Sequence, residues 1–168
     1  MKRLPGMVIL LGVIALTLAC GLGSSGASSD TAIPPYGIDK RPMPTGNDLE
    51  QLLPKQVGSF TRQSLQKPAV AGDPTYAEYR SGEADIFMEF ALTESAANAQ
   101  LVLDTAAGET TDKFPTDPHF GAMGKEPSYL KVIGEGAFFA WTRDRYYFSA
   151  HAKRGVQDLD AFMQVFPY

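Results

Sequence analysis

Cys20 is the one cysteine in a chain of 168 residues, so no intramolecular disulfide can form. It stands at the end of the run VIALTLAC, followed by Gly21. A thiol there is a nucleophile open to alkylation. Other reactive groups are few. The two histidines are His119 and His151. Asp112, Asp117 and His119 share the irregular stretch ETTDKFPTDPHFGAMGKEPS. A carboxylate and an imidazole two positions apart can contribute to a metal site, although Asp117-Pro118 is also an ordinary turn initiator and no metal is assigned on it. Asp85 and Glu89 share one face of a predicted strand. Four residues along a strand separate them by roughly 13 Å, beyond the roughly 6.5–9.5 Å that an inverting carboxylate pair needs. A Gly-x-Ser-x-Gly elbow, His-Glu-x-x-His and a P-loop do not occur. These residues point away from catalysis and imply no cofactor.

The second chemical resource is aromatic. Phe138, Phe139, Trp141, Tyr146, Tyr147 and Phe148 crowd one predicted hairpin. Strand side chains alternate between faces, so Phe139 and Trp141 take one side and Phe138 the other, while Tyr146 and Phe148 oppose Tyr147. If the sheet is covered on one face only, some of these rings lie exposed or under the long loop, where they suit contact with a ligand or partner. Phe138, Trp141 and Tyr147 are therefore the candidate binding residues. The competing reading is that cross-strand aromatic pairs simply stabilise the hairpin. His151 falls on the face of Tyr147 and Ser149 as an edge residue, and Arg143 and Arg145 read as a solvated turn.

The elements that must position these groups begin after an unusual N-terminus. Lys2 and Arg3 precede an uncharged run of thirteen residues from Met7 to Ala19. That is shorter than the roughly 20 apolar residues of a relaxed transmembrane helix and suits the apolar core of an export signal. Ala19, Cys20 and Gly21 supply small residues at the cleavage point. These first 21 residues resemble a bacterial lipoprotein signal, with TLAC as the lipobox. Thr17 and Leu18 depart from that family's usual Leu and Ala or Ser. The resemblance implies a signal peptide over 1–19, diacylglyceryl alkylation of Cys20, cleavage before it and further acylation. The protein would then be lipid-anchored to the cell membrane or the outer membrane, outside the cytoplasm. A plain secretory signal with a free thiol is the alternative.

Residues 20–46 are rich in Gly, Ser and Pro and show no period, which predicts a flexible tether, the alternative being that its second half, IPPYGIDKRPMP, packs on the domain. The rest, 47–168, carries enough apolar material for one domain, the whole chain being 44% hydrophobic and 11% aromatic. Net charge is −4; without Lys2 and Arg3 the chain keeps 13 basic and 19 acidic residues, about −6. That balance excludes a nucleic-acid binder, which needs a cationic stripe to displace counterions.

NDLEQLLP predicts a short helix capped by Asn47 and stopped by Pro54. VGSFTRQSLQ reads as a strand. PTYAEYRS and ADIFMEFAL flank SGE as a hairpin, with Ile86, Met88, Phe90 and Leu92 on a packed face and Asp85, Phe87 and Glu89 on a wet one. A helix capped by Thr93 or Ser95 follows, with Ala99, Val102 or Leu103, and Ala106 as its stripe and Gly108 as its end. After the irregular stretch 109–128 come YLKVIGEG, AFFAWTR and RYYFSAHA, and then a helix with Leu159, Phe162, Met163 and Phe166 on one face. The fold class is α+β, an antiparallel sheet with both helices on one face, and the order suggests a β-β-β-α pseudo-repeat. The element order resembles the Mog1/PsbP-like α/β/α shapes of many bacterial lipoproteins. LLPKQVGSF is similar to uncharacterised bacterial domains that open with Leu-Leu-Pro and a Val-Gly step; no catalytic residue follows from either likeness.

The expected function is a non-catalytic binding module of the cell envelope, its partner being an envelope protein or ligand in addition to the membrane itself. A metal-dependent factor using the 109–128 loop and a structural assembly subunit are the alternatives.

Overall fold

The structure, a computed structural model, describes residues 35–70, 73–113, 119–121, 128–134 and 136–168, with the backbone alone at 110–113 and 119–121. Among the described residues eight strands form a single antiparallel sheet in the order β1-β2-β3-β4-β8-β7-β6-β5. They are β1 (Gln56–Val57), β2 (Phe60–Gln66), β3 (Thr75–Ser81), β4 (Ala84–Leu92), β5 (His119–Gly121), β6 (Tyr129–Ile133), β7 (Ala137–Arg143) and β8 (Tyr146–Ala152). The helices are α1 (Leu49–Leu52), α2 (Ala96–Lys113) and α3 (Val156–Met163). The fold is α+β, built from two successive runs of four strands and a helix that meet where β4 pairs with β8.

The expectation of two helices on one face does not hold. α3 closes the face formed by Ile86, Met88, Phe90, Phe139, Trp141 and Phe148. α2 lies on the other, where Leu103 and Ala107 pack on Leu130, Val132, Ala140 and Tyr147. Both surfaces of β6–β8 carry apolar side chains, Leu130 and Val132 on one and Tyr129 on the other, so each needs a cover. On β3 the α2-side residues Tyr76, Glu78 and Arg80 stay exposed, so this part of the face is wet as expected. The expected strand 57–66 is a hairpin, because Gly58 turns it at φ 56°. A Cβ there would come 2.9 Å from Val165, so this turn docks on the chain's C-terminal segment only as glycine.

Asp48, not Asn47, caps α1, accepting the Glu50 amide at 3.0 Å. Ser95 caps α2 by accepting the Asn98 amide, and α2 runs through Gly108, which carries no positive φ. β5 falls inside the stretch expected to be irregular.

The second part of the expected tether also differs. Residues 35–46 lie on the α3 face, with Ile38 fully buried and a short 3-10 segment over Pro35–Lys40. Tyr36 meets Phe139 edge-on at 5.0 Å, donates to Asp160 and receives the Lys131 ammonium over its ring. Arg41 donates to the carbonyls of Met163, Phe166 and Tyr36, which satisfies orphan groups at the α3 C-terminus. Arg143, expected in a solvated turn, is buried and donates to Arg41 O at 3.0 Å. Composition hid this docking, since its energy sits in a few long-range contacts of Tyr36, Ile38 and Arg41. Arg41→Ala should cost about 2–3 kcal/mol, because charge-assisted hydrogen bonds are lost and buried carbonyls are left bare. Urea unfolding measures it, and a loss below about 0.5 kcal/mol would show that the segment is not part of the folded unit.

Candidate functional site

A cavity of about 410 Å³ opens where α2 stops short of β4 on the α2-side face. That volume lies within the range of roughly 300–1,000 Å³ typical of small-molecule sites. Strand register assembles it. Glu89 pairs across to Tyr76 on β3 and Ser149 on β8. Phe87 pairs with His151, which pairs in turn with Phe138 on β7. Ala106 and Glu109 complete the wall from α2. α2 presents only the methyl group of Ala106 to the hollow, where a larger side chain would narrow it.

The lining is mixed. Phe87, Phe138 and Tyr147 make an apolar floor; Glu89, Ser149 and His151 put polar atoms into it. Burial, and then the nearby Glu109, push the Glu89 carboxyl above its ordinary value. Burial and Lys153 lower His151, so it is neutral at physiological pH. Its ring is held against Gly136, where a Cβ would lie 3.1 Å from Nε2. Burial is also the main reason that Tyr147 is raised; Glu89 adds to it, while a hydrogen bond with Ser149 opposes it. Among the described residues no ion pair is made to Glu89.

The raised carboxyl has a consequence for stability. An acid whose folded-state value exceeds its unfolded one binds more protons when folded, so its charge costs stability as pH rises above the ordinary carboxylate range. Glu89→Gln should therefore raise the melting temperature at neutral pH and leave it unchanged in acid below that range. Equal effects at both pH values would show that the carboxylate is not the unfavourable group.

The candidate residues part company here. Phe138, half-buried, and Tyr147, buried, come together in the cavity wall. Trp141 is fully buried on the opposite face, stacked on Phe139 at 5.1 Å and Phe148 at 5.3 Å, and it reaches no surface. His151 is a cavity residue rather than a bare edge. Sequence reasoning missed Glu109 and Tyr76, and it weighed Glu89 only against Asp85. The usable signal was the shared face of Phe87 and Glu89 and that of Tyr147, Ser149 and His151; the missing fact was that β4 and β8 are neighbours. Cys20 and Asp117 lie outside the described residues, as do the side chains of Asp112 and His119. Among the described residues no cluster of His, Cys, Asp and Glu could hold a metal, and no helix is long and apolar enough to cross a membrane. Comparison with protein-family models, with curated proteins and with solved structures finds no match for this chain.

Proposed function

We propose that this protein is an exported binding domain, held on a membrane by lipid on Cys20, that takes a small ligand in the cavity beside α2. The cavity carries the reading: a concave, mainly apolar hollow with a few converging polar groups is the usual form of a ligand site. The carboxyl held there at a cost in stability supports it, because perturbed groups concentrate at functional sites. The anchor rests on the N-terminal sequence: a basic start, a thirteen-residue apolar run and a cysteine at the cleavage point. From Cys20 to Pro35 the chain spans at most about 50 Å at roughly 3.3–3.6 Å per residue. The described segment from Pro35 packs on the α3 face through Tyr36, on the side of the sheet opposite the cavity. Helices on both faces also suit the likeness to α/β/α lipoprotein domains.

The test is a thermal-shift screen with small aromatic and aliphatic fragments. A fragment at about a hundred times its dissociation constant adds about 2.7 kcal/mol, a rise of several degrees. Ala106→Leu, which narrows the hollow, should reduce the shifts, and Phe138→Ala should weaken fragment affinity about tenfold, in line with about 1.4 kcal/mol of lost contact, which halves the stabilisation at the same fragment concentration. Shifts that survive Ala106→Leu unchanged, or no shift with any fragment, would count against the cavity as a binding site.

A further inference from the structure

Charge and ring placement in the cavity define a class of ligand, an inference that rests on the cavity being a binding site. Its charged groups are unevenly distributed. Glu89 on β4 and Glu109 on α2 face the same hollow, the first half-buried and the second exposed at the mouth. The only imidazole in the wall, His151, is neutral at physiological pH. Tyr76 and Tyr147 are both raised and so uncharged. No described cation lines the cavity. Around the carboxylates stand the rings of Tyr76, Phe87, Phe138 and Tyr147, whose faces attract cations. One ring already does so: the Lys153 ammonium sits 4.7 Å from the centroid of Phe87, although Lys153 itself is exposed.

We infer that the cavity binds a small organic ammonium, a primary or methylated amine carried on an apolar group. The ammonium lies between Glu89 and Glu109, and the apolar group lies on Phe87 and Phe138. A cation there offsets the repulsion between the two carboxylates and gives Glu89 the counter-charge it lacks among the described residues. An anionic ligand would meet two carboxylates in a partly dry hollow, which is strongly unfavourable.

Calorimetric titration of the full-length mature chain in detergent tests this with three matched probes: 4-phenylbutylamine, 4-phenylbutanol and 4-phenylbutyrate. At neutral pH the amine should bind about tenfold or more tightly than the alcohol, and the butyrate more weakly than either. Glu89→Gln should remove most of the amine's advantage while leaving the alcohol's affinity in place. In the wild type the amine's binding should weaken as pH falls and Glu89 takes up a proton; in Glu89→Gln it should not weaken in that way. An alcohol that matches the amine, a butyrate that exceeds it, or an unchanged preference in Glu89→Gln would overturn the ammonium assignment. If Ala106→Leu still weakens binding in that case, the cavity stands as a site for another class of ligand. Failure of all three probes to bind would remove the ammonium class and the cavity reading together.

Discussion

Trp141→Ala should cost about 3–5 kcal/mol, the range for truncating a large buried aromatic. Trp141 is fully buried between Phe139 and Phe148 and meets Phe166 edge-on at 5.8 Å. Each such ring pair contributes about 0.5–1.5 kcal/mol beyond its buried area. Against a total stability of roughly 5–15 kcal/mol, that is a fifth of the whole or more. Circular dichroism under urea measures the loss, since the only tryptophan is gone. Trp141→Phe provides the contrast. The indole Nε1 is buried with no hydrogen-bond partner among the described residues, so phenylalanine removes an unsatisfied donor as well as some volume. It should cost less than about half as much as alanine. A Trp141→Ala chain that kept wild-type stability but lost ligand binding would restore Trp141 as a contact residue and contradict the packing described.

The second large effect belongs to Cys20→Ser. Expressed in a bacterium, the wild-type chain should fractionate with membranes. Its intact mass should start at Cys20 and carry two or three acyl chains, each CH₂ adding about 0.8 kcal/mol of membrane affinity. Serine offers no thiolate for alkylation, so the variant should carry no acyl chains and be either released, with membrane retention falling about a hundredfold or more on that chain arithmetic, or left uncleaved at the precursor mass. A soluble wild type with a free thiol would mean that Thr17 and Leu18 are real departures from the lipobox. Cys20 would then be exposed for intermolecular pairing, and the membrane part of the proposal would fail.

Local pattern made much of this molecule legible. The period-2 alternation of Ile86, Met88 and Phe90 assigns the packed face of β4 correctly, whereas Phe87 and Glu89, expected on a wet face, are half-buried in the cavity wall. Leu159, Phe162 and Met163 place α3 on its core by helical spacing. What local pattern cannot carry is adjacency across the chain. β4 and β8 are about sixty residues apart in sequence, yet their pairing creates the cavity. The side on which a helix lands is equally non-local. α2 is weakly amphipathic, its stripe made largely of alanines, so the sequence shows a helix without showing which apolar surface it covers. Trp141 looks like a binding residue by type and is a core residue by parity. Residues 35–46 look like linker by composition, and they are held by three side chains whose partners lie more than a hundred residues away.

One consequence joins fold and function. On the α3 face the 35–46 segment, Phe166 and Tyr168 pack over the core. The α2 face has the hollow, the exposed Tyr76 and the carboxyl with a raised value. Binding should therefore be confined to one side of the sheet. Amide shift mapping of the nitrogen-labelled Cys20→Ser chain, titrated with a fragment found in the thermal screen, tests this most directly. The expected result is a contiguous set of shifts on Phe87, Glu89, Ala106, Phe138 and Ser149, reduced in Ala106→Leu at the same fragment concentration. Shifts that cluster on α3 and the 35–46 segment instead would contradict it.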